Sequence, residues 1–137
     1  MSKRFGGQAA GSKAKRQWIC DFCSTIYAGK IKICERCGAS SITYFQSKAE
    51  LKRWLELVTL RDAGVIEGLA RQVVFEFQDG GAGVFTPEGR VMKHVVDFSY
   101  VENGEMVYED SKGVDTDLGY LKRELVRFFY GHEIKLT

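Results

Sequence analysis

Four cysteines near the N-terminus have the spacing of a tetrahedral metal site. They form two pairs with two residues inside each pair and ten residues between the pairs, at Cys20, Cys23, Cys34 and Cys37. Two thiolates of one tight turn can face the same cation, and two such turns complete the tetrahedron that Zn²⁺ prefers. A redox pair or disulfides would also use cysteines, but the two pairs are matched and the chain shows no secretory signal. The spacing predicts a structural zinc site, and four protein ligands argue against catalysis at this metal.

The segment that holds these cysteines, residues 18–42, is too short to bury a core of its own. It therefore needs the metal in order to fold. Two roles stay open for this zinc ribbon. It is either a stable appendage or a ribbon that docks on DNA or on another protein.

A second set of residues that could do chemistry consists of Asp97, Asp110 and Lys112, which a predicted hairpin brings together. Asn103 and Gly104 separate two strand-like segments, and this dipeptide favours a two-residue hairpin turn. With these residues at the turn, the register counted back along both strands places Asp97 directly opposite Asp110.

Side-chain alternation divides the predicted hairpin into two faces. The face of Asp97 and Asp110 also carries Val95, Ser99, Tyr108 and Lys112. The opposite face, which we expect to be core, carries Val96, Phe98, Tyr100 and Val107. By the same parity, His94 and Glu109 lie on the core face, away from Asp97.

Opposed carboxylates at this position predict a site for a hard divalent cation. Their Cβ atoms would lie about 4.5–5.5 Å apart, and like charges at that distance destabilise a hairpin unless something neutralises them. Mg²⁺ favours carboxylate oxygen and keeps waters for chemistry, while Lys112 could polarise such a water or stabilise charge on a phosphate. The alternative is a solvated sheet edge on which Lys112 screens two surface acids.

The elements that position these residues follow from hydrophobic periodicity and turn signals, in the order helix, three strands, helix, strand. The first helix begins after Ser47 as N-cap and stops at Gly64, and the second ends at Gly131. The first strand covers residues 73–78, and a glycine-rich loop follows to about residue 90. This order predicts an α/β protein of the α+β type with a mixed sheet.

Length and charge limit the class of protein. The chain has 137 residues, 45% of them hydrophobic, which suits one compact domain with a small appendage. No apolar run could span a membrane or serve as a signal peptide, so we expect a cytoplasmic protein. Residues 1–17 carry five basic side chains and no acid. Such a tail suits phosphate and is also typical of a disordered terminus, and in it Lys13, Lys15 and Arg16 are candidates for DNA contact.

The combination of Glu50, Asp97 and Asp110-x-Lys112 resembles the active site of the PD-(D/E)XK nucleases. Residues 43–137 look like a small phage-borne branch of that superfamily, related to Holliday-junction resolvases. The zinc ribbon lies outside the resemblance.

Other details of the sequence agree with the same family. They are SKAE at the start of the first helix, Gln72 before the first strand, VVDF, VYEDSKG, and a basic helix that contains Lys122. One detail departs from it, because Val96 stands where the motif's name has proline.

The resemblance implies a restriction-endonuclease-like αβββαβ core and a role for each matching residue. Asp97 and Asp110 would bind Mg²⁺ or Mn²⁺ together with the backbone carbonyl of Ser111. Glu50 would be a further ligand, directly or through a metal-bound water, and Lys112 would position the attacking water.

Four of the candidate residues also have a simpler interpretation. Ser47-x-x-Glu50 is a capping box as well, in which the glutamate bonds only the N-cap amide. Gln72 either supports the site by a hydrogen bond or merely ends a loop. Lys122 and Arg123 are candidates for DNA contact, although a charged helix face is usually just solvated.

The function that the resemblance implies is that of a metal-dependent, structure-selective DNA endonuclease. It would cut branched DNA such as Holliday junctions, leave a 5′-phosphate and a 3′-hydroxyl, and act as a homodimer in the cytoplasm of a bacterial host. The domains would be a basic tail (1–17), the zinc ribbon (18–42) and the nuclease domain (43–137). The alternatives are a nicking or end-processing nuclease of the same superfamily and a non-catalytic zinc-ribbon module that binds DNA.

Overall fold

A computed structural model describes residues 16–111 and 116–137 of the chain. These residues form two helices and nine strands, in two compact units. The elements are β1 (Gln17–Cys20), β2 (Ile26–Tyr27), β3 (Ile42–Phe45), α1 (Lys48–Asp62), β4 (Ile66–Glu76), β5 (Gln78–Asp79), β6 (Ala82–Gly83), β7 (Lys93–Glu102), β8 (Glu105–Asp110), α2 (Asp117–Tyr130) and β9 (Ile134–Leu136). The first unit extends to Arg53, and the second runs from Trp54 to Thr137.

The first unit contains a small antiparallel sheet in which β1 lies between β2 and β3. Trp18 of β1 pairs with Tyr27 on one side and Tyr44 on the other. The rings of Trp18 and Tyr44 are in contact, with 5.1 Å between their centroids. Ile19 and Phe45 are buried, so the sheet has an apolar side despite its small size.

Three helix ends agree with the residues predicted to mark them, which are Ser47, Gly64 and Gly131. In α1 the hydroxyl of Ser47 accepts a hydrogen bond from the amide of Glu50 (3.1 Å), and Gly64 follows the last turn with a φ of 79°. In α2 Thr116 is the N-cap and Gly131, with a φ of 74°, is the C-cap. Within the described part of the chain, no helix combines the length and the apolar character that crossing a membrane requires.

The second unit is built on a four-stranded sheet in the order β4-β7-β8-β9. The first three strands are antiparallel and β9 is parallel to β8, so the predicted mixed sheet is confirmed. β4 begins at Ile66 rather than at residue 73, and Gln72 therefore lies inside the first strand and not before it. The short β5–β6 hairpin lies in the predicted glycine-rich loop.

The predicted register of the long hairpin is confirmed from its turn to the pair of Phe98 and Glu109. Asn103 and Gly104 both have positive φ, 53° and 78°, as a two-residue turn with a tight reversal requires. The pairs run from Glu102 opposite Glu105 to Phe98 opposite Glu109. The next positions along the two strands are those of Asp97 and Asp110.

Two apolar clusters cover opposite faces of the sheet. The α1 cluster has Leu57, Ile66, Phe98 and Tyr100 at its centre. The α2 cluster has Phe75, Phe77, Val96 and Val126 at its centre. Val107 packs on the first cluster and Tyr108 on the second, and consecutive strand residues point to opposite faces. Burial on both faces explains why β7 is so rich in apolar residues.

The predicted assignment of residues to faces is wrong for part of β7. Val96 and Phe98 should share a face by alternation, yet Val96 belongs to the α2 cluster and Phe98 to the α1 cluster. The same reversal occurs in β4, where Phe75 packs toward α2 while the guanidinium of Arg71 lies over Trp54 of α1, 5.7 Å from the ring centroid.

The reversal lies where the ladder skips one pair, between Val73–Val96 and Arg71–Phe98, while the register stays the same on both sides. We call this skipped position the break. Gln72, which lies between Arg71 and Val73, has a left-handed φ of 55°. A left-handed residue turns the strand about its axis, so the side chains that follow it point to the other face. The parity rule therefore fails at Asp97, opposite this residue.

Gln72 provides a test of the reversal, because a left-handed conformation costs a non-glycine residue about 1–2 kcal/mol. We expect Gln72→Gly to be neutral or to raise the free energy of unfolding by about 1 kcal/mol, since glycine relieves that cost but adds unfolded-state entropy. The matched control is Glu76→Gly, in the same strand at ordinary φ, which should lower stability by roughly 0.5–1 kcal/mol. Denaturant unfolding of the two variants measures both effects. Equal destabilisation by both substitutions would contradict the left-handed conformation.

Candidate functional site

The four cysteines come together as predicted. Their sulfur atoms all lie within 4.8 Å of one another, and none of the four forms a disulfide. Each pair sits in a tight turn, because the amide of Ser24 bonds the carbonyl of Cys20 (2.9 Å) and that of Gly38 bonds Cys34 (2.8 Å). Gly38 has a φ of 77°, which a residue with a side chain would adopt at a cost. Four soft thiolate donors from two such turns suit a metal such as Zn²⁺.

Two hydroxyl groups orient the sulfur atoms. The hydroxyl of Tyr27 lies 3.1 Å from the sulfur of Cys34, and that of Thr25 lies 3.0 Å from the sulfur of Cys23. The Tyr27 hydrogen bond lowers the pKa of Cys34 to about 6, and the Thr25 side chain lowers the pKa of Cys23. A thiolate is the form of cysteine that binds metal. The hydroxyls thus favour the binding form of one cysteine in each pair, a role that second-layer hydrogen bonds often have around metal sites.

Asp97 and Asp110 join the ends of β7 and β8 by reciprocal hydrogen bonds. The amide of Asp97 donates to Oδ1 of Asp110 (2.9 Å), and the amide of Ser111 donates to Oδ2 of Asp97 (2.8 Å). We call this pair of bonds the carboxylate clasp. The carbonyl of Asp110 also accepts the amide of Thr137, so Asp110 is bound to both neighbouring strands. The clasp ties each of the two acids to the other strand where the ladder ends, one position beyond the last pair of the confirmed register.

His94 belongs to the same site, contrary to the prediction that it faces away from Asp97 and Asp110. Its Nε2 lies 2.9 Å from Oδ2 of Asp110. The side chains are buried, with 8% of His94 and none of Asp110 exposed. The reversal of β7 explains the error, because His94 precedes Asp97 and the parity rule was carried across the break. The sequence contained no signal for this contact, since a left-handed glutamine is not a recognisable turn residue.

Glu109 is buried on the other side of β8 from Asp110. Its Oε2 accepts a hydrogen bond from the hydroxyl of Tyr100 (2.5 Å), a residue of the α1 cluster. Like Asp110, Glu109 has no exposed surface. β8 therefore carries two consecutive buried carboxylates, each hydrogen-bonded on its own face of the sheet.

The remaining predicted site residues occupy several positions in the two units. Glu50 lies in the first turn of α1, in the first unit, and is buried. Its amide bonds Ser47, which is the N-cap half of the predicted capping box. Gln72 is exposed in β4, at the position across from Asp97. The roles predicted for Glu50 and Gln72 stay predictions.

The basic candidates are described in part. Lys13, Lys15 and Lys112 lie outside the described residues. Arg16 is exposed immediately before β1. Lys122 and Arg123 lie on α2, both half-buried, and the guanidinium of Arg123 lies 6.0 Å from the ring centroid of Tyr120.

The cysteine cluster and the carboxylate clasp offer different ligand atoms to a metal, sulfur in the first and oxygen in the second. In residues 16–111 and 116–137, the four cysteines are the one group of at least three His, Cys, Asp or Glu side chains that converge closely enough to hold an ion. Asp97 and Asp110 are hard oxygen donors that come as a pair. The cysteines could thus hold zinc by themselves, whereas a cation at the clasp would need further ligands.

The hydroxyl of Tyr27 gives a test of the cysteine site. We expect the purified protein to bind one zinc ion and Tyr27→Phe to keep that stoichiometry but bind zinc about 10–100-fold more weakly, because the Cys34 sulfur loses its hydrogen bond. Competition with a chromophoric chelator measures the affinity, and elemental analysis measures the stoichiometry. Tyr44→Phe, in the same small sheet, is the control and should leave both unchanged. An unaltered affinity in Tyr27→Phe would show that the hydroxyl does not support the metal.

Comparison with known proteins identifies a family for the chain. Comparison with curated proteins and with solved structures finds no match. Residues 27–137 match the family described as "Protein of unknown function (DUF1064)". Because this match covers most of the chain, the protein belongs to the DUF1064 family.

Proposed function

We propose that the protein is a metal-dependent DNA endonuclease with a restriction-endonuclease-like core. The observation that carries this proposal is the carboxylate clasp, which holds Asp97 and Asp110 together at the end of the hairpin. The order of helices and strands in the second unit is compatible with the αβββαβ core that the sequence resemblance implies.

Two adjacent carboxylates are suited to Mg²⁺ or Mn²⁺. A carboxylate has about four lone-pair sites, so it can accept an amide bond and still coordinate a cation. Both ions prefer hard oxygen ligands, and Mg²⁺ keeps several waters when few carboxylates bind it. Asp97, Asp110 and the carbonyl of Ser111 would be the ligands from the hairpin. A bound cation would supply an activated water and would neutralise charge on the phosphate.

The other residues of the motif would complete the site. Glu50 would approach as a further ligand or hold a metal-bound water, and Lys112 would position the water for attack. In an in-line hydrolysis the water oxygen bonds to phosphorus while the bond from phosphorus to the 3′ oxygen breaks, and that oxygen takes a proton. The products are a 5′-phosphate and a 3′-hydroxyl.

His94 would be a positioning residue in this mechanism. Its bond to Oδ2 fixes the rotation of the Asp110 carboxylate, while the Asp97 amide fixes Oδ1. A ligand that is held from two sides needs little reorganisation when a cation binds.

The substrate that we propose is branched DNA, such as a Holliday junction. This part of the proposal rests on the resemblance of the motif to the resolvase-related branch. Symmetric cleavage of a junction requires two active sites, so we expect a homodimer. A nicking or end-processing nuclease would use the same catalytic residues and differ in the DNA structure that it prefers.

One observation favours a non-catalytic alternative. Asp110 has no exposed surface, and both of its carboxylate oxygens have hydrogen-bond partners. A carboxylate of this kind can be purely structural, in which case the protein would be a zinc-ribbon module that binds DNA without cutting it. The presence or absence of cleavage separates the two functions.

Cleavage of a panel of labelled DNA structures tests the proposal. We expect the wild-type protein to cut with Mg²⁺ or Mn²⁺, and to cut four-way junctions faster than forks, flaps or linear duplex. No cleavage of any substrate with either ion would favour the binding module.

Substitutions at the site test the roles of individual residues. Asp97→Asn, Asp110→Asn and Lys112→Ala should each slow cleavage by about 100-fold or more, because each removes charge that acts on the reacting phosphate. Junction binding should stay within a few fold, and thermal melting should show that each variant is folded. Glu105→Gln, at the exposed turn of the same hairpin, is the control and should cleave normally. Near wild-type turnover of a folded variant would contradict the role of that residue.

A further inference from the structure

Two adjoining grooves of the second unit are lined by basic side chains. One groove has a volume of about 680 Å³ and runs along the loop before β7. The other has a volume of about 440 Å³ and lies between β7 and the start of α2. Lys93 and Lys122 line both grooves, and Arg90 lines the first. We call these three residues and the surface between them the basic groove.

The charges of the basic groove are largely uncompensated. The side chains of Lys93 and Lys122 form no ion pair with any residue of the described ranges. Arg90 has only a loose contact with Glu88 at 3.6 Å, and its side chain is 78% exposed. Among the described residues that line the two grooves, Glu76 is the one acid. Net positive charge at this surface attracts an anionic ligand.

The second groove reaches the candidate site. His94 lines it, and the same side chain bonds Asp110 of the carboxylate clasp. Thr116 and Gly119 of α2 line the groove as well, but the Gly119 amide already donates to Thr116 (3.0 Å). The lysines, rather than the helix terminus, therefore supply the attraction for an anion.

We propose that the basic groove binds the phosphate backbone of a nucleic-acid strand and holds it beside the carboxylate clasp. Three cations spread over two adjoining grooves suit a chain of phosphates better than a single small anion, which needs donors that converge on one point. Contacts of this kind fix the position of a strand without reading its sequence. In its assignment of DNA as the ligand, this inference rests on the proposed nuclease function.

DNA binding without cleavage tests the groove directly. Fluorescence anisotropy with a labelled four-way junction and a labelled duplex, in buffer with Ca²⁺ in place of Mg²⁺, measures affinity at several salt concentrations. We expect Lys93→Gln/Lys122→Gln to bind at least 10-fold more weakly than wild type near 100 mM salt. The slope of log affinity against log salt should fall by about 2, because two phosphate contacts no longer release counterions.

The matched control is Lys52→Gln/Lys135→Gln, which removes the same charge at two exposed lysines elsewhere in the chain. It should weaken binding by no more than about 2-fold, and Lys93→Arg/Lys122→Arg should retain most of the affinity because it keeps both charges. Equal losses in the two Gln pairs, or no DNA binding by wild type at low salt, would overturn the proposal. The proposal would also be overturned if inorganic pyrophosphate displaced the DNA and its binding required Lys93 and Lys122. The natural ligand of the groove would then be a small phosphate compound.

The same experiment separates the groove from the nuclease function. If the wild-type protein binds DNA through the groove but cuts no substrate, the groove proposal stands and the nuclease proposal is wrong. If the wild-type protein cuts DNA and the Lys93→Gln/Lys122→Gln variant binds DNA as tightly as wild type, the nuclease proposal stands and the groove proposal is wrong.

Discussion

The second unit depends on the way in which the ladder between β7 and β8 ends. Where two antiparallel strands separate, their next amides lose their partners, and a buried amide without a partner costs about 1–3 kcal/mol. The carboxylate clasp solves this for the amides of Asp97 and Ser111, each of which bonds the carboxylate of the opposite strand. Hydrogen bonds to a charged acceptor are stronger than bonds between neutral groups. The same two bonds end the sheet and fix two acids in position.

The reversal at Gln72 decides which side chains surround the clasp. Before the break in chain order, His94 and Val96 of β7 lie on the side of the α2 cluster. After it, Phe98 and Tyr100 pack in the α1 cluster. A strained residue of this kind costs about 1–2 kcal/mol and persists only where the surrounding contacts outweigh it. Here the two clusters supply those contacts, and the contact between His94 and Asp110 is one consequence.

Local rules of sequence predicted the parts of the fold that local interactions determine. The turn at Asn103 and Gly104 set the register, Ser47 and Gly131 marked helix ends, and the cysteine spacing predicted the close cluster of sulfurs. Each of these features depends on a few neighbouring residues, so the sequence contains the signal in full.

The errors concern features that depend on tertiary contacts. Residues 66–72, IEGLARQ, contain a glycine and little alternation, so only pairing with β7 makes them a strand. The left-handed Gln72 has no signature, since asparagine or glycine usually occupies such positions. Parity counted across it placed His94 on the wrong face. The charge, burial and hydrogen bonds of the site therefore could not be read from strand alternation.

The clasp also bears on the choice between a structural and a catalytic role. A structural role accounts for Asp110, which is wholly buried and bonded through both oxygens. Asp97 is half-exposed, and as a charged acceptor it forms a stronger hydrogen bond with the Ser111 amide than a neutral group would. A half-exposed carboxylate beside a buried one can be reached by a cation from solvent, and the proposed metal-dependent function rests on this feature.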